Sequence, residues 1–207
     1  MTDVAAHNSS PGAGSGAPLE GVRVAFVVAN EGVEQVELLE PWHAVIDAGG
    51  RPSLVAPELG AVQLMNHLDK GETRSVDVIT DGARLQDFDA VVLPGGVANP
   101  DQLRLNRPAV EFVRGMAEAR RPIAVICHGP WTLVEADVVR GRTLTSWPSL
   151  RTDVTNAGGS WVDEEVVVCT EGPNVLVTSR KPEDLPAFCS TLVDVFAADR
   201  SRDTATA

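Results

Sequence analysis

The chain has 207 residues, of which 43% are hydrophobic, so it can bury one sizeable core, and we expect a single domain over residues 19–200. Its formal net charge of -12 favours solubility, and its lysines and arginines are scattered, which disfavours nucleic-acid binding. The sequence has no apolar run near the ~20 residues of a membrane span, which disfavours a role inside a membrane.

Both ends of the chain are predicted to lie outside this domain. Residues 1–18 are rich in Ser, Gly, Ala and Pro without an apolar stripe, so we expect a disordered tail. Residues 201–207 are expected to form a flexible C-terminus. The tail has neither the basic start nor the apolar centre of a signal peptide, and three cysteines do not suit a disulfide framework. We therefore expect a cytoplasmic protein with free thiols.

The N-terminal half alternates strand and helix patterns. The predicted elements are a buried strand at 22–29, a helix at 34–48 that stops at a Gly-Gly pair, a strand at 51–58, and a β excursion formed by segments 61–65 and 74–80.

The C-terminal half repeats this alternation. The predicted elements are a strand at 88–96, a helix at 108–121, a strand at 122–127, a helix at 130–141, a hairpin at 164–180 and a closing helix at 182–200. Strands that alternate with helices of this length predict a doubly wound, flavodoxin-like α/β fold. Its sheet should be mostly parallel, with helices on both faces and a small β-hairpin excursion.

One corner of this predicted sheet carries reactive groups. Cys127 and His128 follow a buried strand directly, and a second strand ends in Gly95 and Gly96. Ligands of open parallel sheets collect at the carboxyl ends of the strands, where backbone N–H groups and the helix dipole favour a thiolate over a thiol. Glycines there, including Gly129, let the backbone approach a ligand closely and offer N–H groups to an oxyanion. A cysteine that ends a buried strand also suits simple core packing, and this alternative stays open.

The stretch AVICHGPWTLVEADVVRGRTLTSWPSLRTDVTNAGGSWVDEEVVV closely resembles the PfpI-type intracellular protease and deglycase family. That family is related to the parkinsonism-associated protein and has a class I glutamine amidotransferase-like fold. The similarity extends over residues 22 to about 197. It implies that Cys127 is the nucleophile and that His128 is its catalytic partner.

The resemblance also implies further site residues. Glu34, in the segment ANEGVEQVEL, matches the family glutamate that reaches the cysteine, whereas the neighbouring Glu31, Glu37 and Glu40 are interpreted as structural. Gly96 and the N–H of His128 match the family's oxyanion site.

Two further residues near this corner are candidates for the site. In the proteases that this sequence resembles, a neighbouring subunit supplies the third triad member, a glutamate just after the Pro-Gly-Gly segment. Asp101 is the acidic residue nearest to that position. It lies one residue further from the glycines than the family glutamate, and its side chain is shorter. A helix N-cap after Pro100 explains Asp101 equally well. Trp131 lies close enough to Cys127 in sequence to line a substrate pocket.

These observations predict a cysteine-dependent, stress-protective hydrolase that acts on reactive carbonyls or their protein adducts as a homo-oligomer, without metal or organic cofactor. An intracellular cysteine peptidase and a non-enzymatic redox sensor or chaperone remain alternatives. A glutaminase or an α/β-hydrolase is disfavoured, because both need a histidine downstream of the nucleophile and none follows His128.

Overall fold

The computed structural model describes residues 16–206, with side chains described for residues 16–200. Most of the predicted N-terminal tail therefore lies outside the described residues.

The strands are β1 (Arg23–Val27), β2 (Glu31–Glu34), β3 (Arg51–Ala56), β4 (Ala61–Asn66), β5 (Asp69–Ser75), β6 (Val78–Ile79), β7 (Ala90–Leu93), β8 (Ile123–Ile126), β9 (Thr143–Leu144), β10 (Ser160–Trp161), β11 (Val166–Cys169) and β12 (Leu176–Ser179). The helices are α1 (Gln35–Asp47), α2 (Ala98–Leu103), α3 (Arg107–Glu118), α4 (Pro130–Glu135), α5 (Arg151–Asn156) and α6 (Leu185–Thr206).

The central sheet has seven strands in the order β11-β12-β8-β7-β1-β3-β6. Every neighbouring pair is parallel except β11 and β12, which form the antiparallel hairpin predicted at 164–180. The predicted α/β fold with a mostly parallel sheet is therefore confirmed.

Helices cover both faces of this sheet, because alternate side chains of each buried strand point to opposite faces. On one face Val91 and Val125 pack with residues of α3, α4 and α5. On the other, Phe26 and Val92 pack with residues of α1 and α6, among them Phe188. The central strands are buried on both faces, which explains their continuous apolar runs.

The β excursion is a three-stranded sheet in the order β2-β4-β5. Its last strand covers Asp69–Ser75 rather than the predicted 74–80, because the chain reverses tightly after β4, where His67 has a φ of 57°. Val78 and Ile79 join the central sheet beside β3 instead. The segment at Glu31–Glu34 is a strand, so α1 begins only at Gln35.

Two helices differ in length from their prediction. Helix α4 ends at Glu135 rather than near residue 141, because Asp137 adopts a φ of 55° and the N–H of Val138 returns to the carbonyl of Leu133, as in a Schellman cap. Helix α6 continues to Thr206, past the expected end at residue 200, because neither Gly nor Pro interrupts its second half. None of the helices in residues 16–206 is long and apolar enough to cross a membrane.

Candidate active site

Three adjacent strands of the sheet deliver the candidate residues to one edge. Strands β8, β7 and β1 are neighbours and run parallel, so their carboxyl ends lie together. Cys127 follows β8, Gly95 and Gly96 follow β7, and the segment that leads into β2 follows β1. The structure therefore brings these candidate residues together at the edge of the sheet where ligands of such folds bind.

Cys127 occupies a sharp turn between β8 and α4. Its φ is 61°, a left-handed conformation that a non-glycine residue adopts at a cost of about 1–3 kcal/mol. Two hydrogen bonds hold the turn: the N–H of Cys127 donates to the carbonyl of Ser179 (3.1 Å), and its carbonyl accepts from the N–H of Trp147 (2.8 Å). The thiol is nearly buried, with 6% of the residue exposed, and lines a pocket.

The carboxyl that contacts the thiol belongs to Glu37. Glu37 is fully buried, forms a hydrogen bond with the Cys127 side chain, and accepts from the N–H of Gly95 at Oε2 (2.9 Å). Burial raises the pKa of Glu37 to about 8, and the thiol's hydrogen bond partly opposes this rise. A residue that the sequence analysis interpreted as structural thus lies at the centre of the site.

Glu34 does not occupy the position that its motif suggested. Its Oε2 accepts from the backbone N–H of His67 (3.1 Å), on the wall of the same pocket. Because β2 is extended through Glu34, the first turn of α1 carries Glu37 on the buried face, together with Leu38 and Pro41. A carboxyl on the apolar stripe of a helix was the sequence signal that could have identified Glu37.

The titration of the Cys127 thiol is coupled to that of Glu37. Burial raises the pKa of Cys127 far above its ordinary value, and the nearby Glu37 charge raises it further. The N–H groups of Gly96 and His128 act on the sulfur in the opposite direction. The thiol and the carboxyl therefore both favour their protonated forms at neutral pH, and the sulfur is not the free thiolate expected from the helix dipole alone.

The three glycines of the two loops have different roles. The N–H groups of Gly96 and His128 face the sulfur, as an oxyanion site requires. The N–H of Gly95 is already occupied by Glu37, so Gly95 positions the carboxyl instead. The N–H of Gly129 bonds the carbonyl of Ile126 (2.9 Å), so Gly129 holds the turn and does not line the pocket.

His128 lies beside the thiol on its other side. Its Nδ1 is 3.2 Å from the Cys127 sulfur, and its Nε2 is 3.5 Å from the hydroxyl of Ser149. Burial lowers the pKa of His128, which favours the neutral ring at neutral pH. The ring stacks on Trp147 with centroids 5.8 Å apart and packs at a tilt against Trp131 at 5.4 Å.

Two other predicted residues lie outside the pocket lining. Trp131 turns its indole N–H toward Asp153 (2.9 Å) and reaches the site only through His128, whereas Trp147 lines the pocket itself. Asp101 is exposed within α2, whose N-cap is Val97, so the alternative N-cap role for Asp101 is wrong. Trp147 contacts His128 because its backbone N–H donates to the carbonyl of Cys127, a bond that no sequence pattern indicated.

Asn99 connects the two loops to helix α2. It is fully buried, its Oδ1 accepts from the N–H of Ala29 (2.7 Å), and its Nδ2 donates to the carbonyls of Pro94 and Gly95 (both 3.0 Å). One side chain therefore ties together the ends of β1 and β7 and the N-terminal half of α2.

The pocket above the thiol has a volume of about 420 Å³. It is lined by Glu31, Gly32, Glu34, Glu37, Met65, His67, Leu68, Gly96, Val97, Ala98, Cys127, His128, Trp147 and Pro182.

An α/β sheet with a cysteine, a histidine and a buried carboxyl at its ligand-binding edge defines a thiol-centred class of proteins. Residues 22–195 match the DJ-1/PfpI family. The chain therefore belongs to the DJ-1/PfpI family, as its sequence resemblance predicted.

Individual relatives agree with this assignment. Deglycase PH1704 of Pyrococcus horikoshii is 41% identical over 172 residues, which cover 83% of this chain and 98% of that protein. General stress protein 18 of Bacillus subtilis is 39% identical over 155 residues, which cover 75% of this chain and 87% of that protein. A two-domain structure from Anabaena variabilis, with DJ-1/ThiJ/PfpI-like and ferritin-like domains, superposes with a TM-score of 0.76 at 31% identity and covers 84% of this chain and 47% of that one.

Proposed function

We propose that this protein is a cysteine-dependent, stress-protective enzyme that acts on reactive carbonyls or on the adducts they form with proteins. The observation that carries the proposal is the Cys127 sulfur held between the Glu37 carboxyl and Nδ1 of His128 (3.2 Å) on the wall of a pocket. Similarity to proteins named as a deglycase and as a general stress protein supports the same conclusion.

The first step is addition of the Cys127 sulfur to an aldehyde carbon. A carbon–sulfur bond forms while the Glu37 carboxyl gives its proton to the carbonyl oxygen and takes up the thiol proton, which gives a hemithioacetal. The N–H groups of Gly96 and His128 lie beside the atoms where negative charge develops. Because the pKa of Glu37 is raised to about 8, this carboxyl can accept and return a proton near neutral pH.

For a 2-oxoaldehyde, the same groups complete the conversion. Glu37 or Nδ1 of His128 removes the proton from the carbon bonded to sulfur, and the hydroxyl on that carbon also loses its proton. The adjacent carbon and its oxygen each gain a proton, which gives a thioester. Water then releases a 2-hydroxy acid and restores the thiol, so the net reaction consumes one water. From an aldehyde–amine adduct, the carbon–nitrogen bond breaks as the carbon–sulfur bond forms, and the amine leaves with the thiol proton, which gives the same hemithioacetal.

Peptide hydrolysis is less well supported. Within the described chain, the hydrogen-bond partners of His128 are the Cys127 sulfur and the Ser149 hydroxyl, and neither is a carboxylate that would orient the ring as in a protease triad.

Conversion of methylglyoxal to lactate in metal-free buffer tests the proposal. The wild-type protein and a Cys189→Ala control should both produce lactate, since Cys189 lies on α6 outside the pocket. Cys127→Ala should produce none above background. Absence of conversion by the wild type, or equal conversion by Cys127→Ala, would overturn the proposal.

A further inference from the structure

The pocket above Cys127 has an uneven distribution of charge. Three carboxyl side chains line it, those of Glu31, Glu34 and Glu37, and none of the described residues in its lining is Lys or Arg. The two other ionisable side chains besides the thiol are His67 and His128.

The Glu34 carboxylate is held in a fixed place on this wall. Its side chain is 12% exposed, and its Oε2 accepts a hydrogen bond from the backbone N–H of His67 (3.1 Å). The ring Nδ1 of His67 lies 3.9 Å from the same oxygen. Strand β2 pairs with β4 at this point, where Glu34 is opposite Met65. Glu31 is exposed at the start of β2, so its carboxylate lies toward the rim. The negative potential is therefore part of the rigid sheet.

Glu37 supplies an unused polar atom at the bottom of the pocket. Its Oε2 bonds the N–H of Gly95, but its Oε1 is buried and has no hydrogen-bond partner within the described chain. Leaving such an atom unpartnered costs about 1–3 kcal/mol, and a polar hydrogen or a carbonyl oxygen of a ligand would remove this cost. The pocket is thus built for a polar ligand next to the sulfur.

The remaining wall is largely apolar, and Met65, Leu68, Val97, Trp147 and Pro182 contribute to it. Apolar walls exclude water and lower the local dielectric constant, which strengthens the effect of the carboxylates on a charged ligand.

We infer that this pocket selects carbonyl compounds by charge: it admits neutral or cationic carbonyls and rejects anionic ones such as glyoxylate or sugar phosphates. Glu31 and Glu34 are the residues that set this selectivity. The identification of the ligand as a carbonyl rests on the proposed function, whereas its charge follows from the pocket wall alone.

Alkylation of Cys127 tests the charge selectivity without any turnover. Iodoacetamide is neutral and iodoacetate is anionic, and with both reagents the sulfur displaces iodide and forms a carbon–sulfur bond. Mass spectrometry of the peptide that contains Cys127 gives the two rates, separately from Cys169 and Cys189. The rate ratio of iodoacetamide to iodoacetate should exceed the ratio for free cysteine at the same pH by about tenfold or more.

Charge-neutral variants assign the effect to residues. Glu34→Gln and Glu31→Gln should each lower this ratio by about threefold or more, and added salt should lower it in the wild type. Glu118→Gln removes the same charge from the exposed end of α3, away from this pocket, and should leave the ratio unchanged. Because any change in thiol pKa affects both reagents equally, it cancels in the ratio.

A wild-type ratio equal to that of free cysteine would overturn the inference, as would ratios that do not respond to either substitution. Failure of both reagents to alkylate Cys127 in the folded protein, while the unfolded chain reacts, would also overturn it, because the pocket would then admit neither. Loss of the proposed function has a different result, namely an intact alkylation ratio without methylglyoxal turnover.

Discussion

At the scale of single residues, the contact between Cys127 and Glu37 governs the titration of both groups. Burial disfavours a negative charge on either group, and two adjacent negative charges would repel each other, so both groups favour their protonated forms at neutral pH. The same burial makes the pair a source of pH-dependent stability.

The pH dependence of the free energy of unfolding should reveal the proton on the Glu37 carboxyl. The folded-state pKa of Glu37 is raised from 4.5 to about 8, so its contribution to stability is fully present below pH 4.5 and is lost as pH rises toward 8. The Glu37→Gln variant has no ionisable group at this position, so it lacks this contribution. Between pH 4.5 and 8, the free energy of unfolding of the wild type should therefore fall by up to about 4 kcal/mol more than that of the variant.

Denaturant titrations of both proteins at several pH values measure this difference. The lowered pKa of His128 acts with the opposite sign, since its contribution is lost as pH falls through its unfolded value near 6.5, but it is present in both proteins. Parallel pH curves for the two proteins would contradict the raised pKa of Glu37 in the folded protein.

The positions of candidate residues could be predicted from the sequence where a strand end fixes them, and could not where the local backbone decides them. Cys127 and His128 are placed by the end of a buried strand, which hydrophobic patterning locates well. Whether Glu34 or Glu37 faces the thiol depends on where α1 begins, and sequence patterns predict the ends of helices and strands less precisely than their existence. Trp147 is held at the site because its N–H donates to the carbonyl of Cys127, 20 positions earlier in the chain, and no local sequence pattern encodes such a bond.

At the scale of secondary-structure elements, the turn from β8 into α4 is the tightest part of the site. A Cβ atom on Gly129 would lie 2.7 Å from the carbonyl oxygen of Leu93 and 2.9 Å from that of Ile126. Backbone atoms of two neighbouring strands therefore enclose this residue, and the position of Cys127 depends on the absence of a side chain there.

Gly129→Ala should lower the free energy of unfolding by about 1–3 kcal/mol, because the strand ends must move apart to admit the methyl group. It should also slow alkylation of Cys127 in the folded state. Gly82→Ala is a matched control, since its Cβ would meet only the Ile79 side chain at 3.5 Å. Equal stability of the two variants in chemical denaturation would show that the turn tolerates the extra atom.

Patterning predicted most elements of the central sheet, because strands buried on both faces are continuous apolar runs. The element ends were less predictable. The end of α4 depends on a left-handed Asp137, and β5 is largely polar, with the sequence DKGETRS, so it has no apolar alternation. Its strand conformation comes from pairing with β4 rather than from its own composition.

At the scale of the whole molecule, apolar side chains are exposed around α2 and the pocket mouth. Leu105 is 84% exposed just after α2, Val97 is 59% exposed at its N-cap, and Leu68 is 94% exposed at the pocket. Grouped exposure of large apolar side chains is typical of interaction surfaces. The homo-oligomer expected from the family resemblance would cover this region.

Gel filtration with light scattering tests this expectation. The protein should elute with the mass of two or more chains, and Leu105→Asp should shift it toward the mass of one chain. Leu59→Asp, a similar change at an exposed site in the connection between β3 and β4, should not. A wild-type mass equal to one chain would end the expectation of a homo-oligomer.

The hydrogen bonds of Asn99 carry a thermodynamic consequence for such an assembly. This side chain fastens α2 to the carbonyl of Gly95, whose N–H holds the Glu37 carboxyl. An association that shifts α2 would therefore act on the acidity of the thiol. By reciprocity, loss of a proton from this site would change the association constant by the same factor, so the pH dependence of assembly would report the acidity of the thiol.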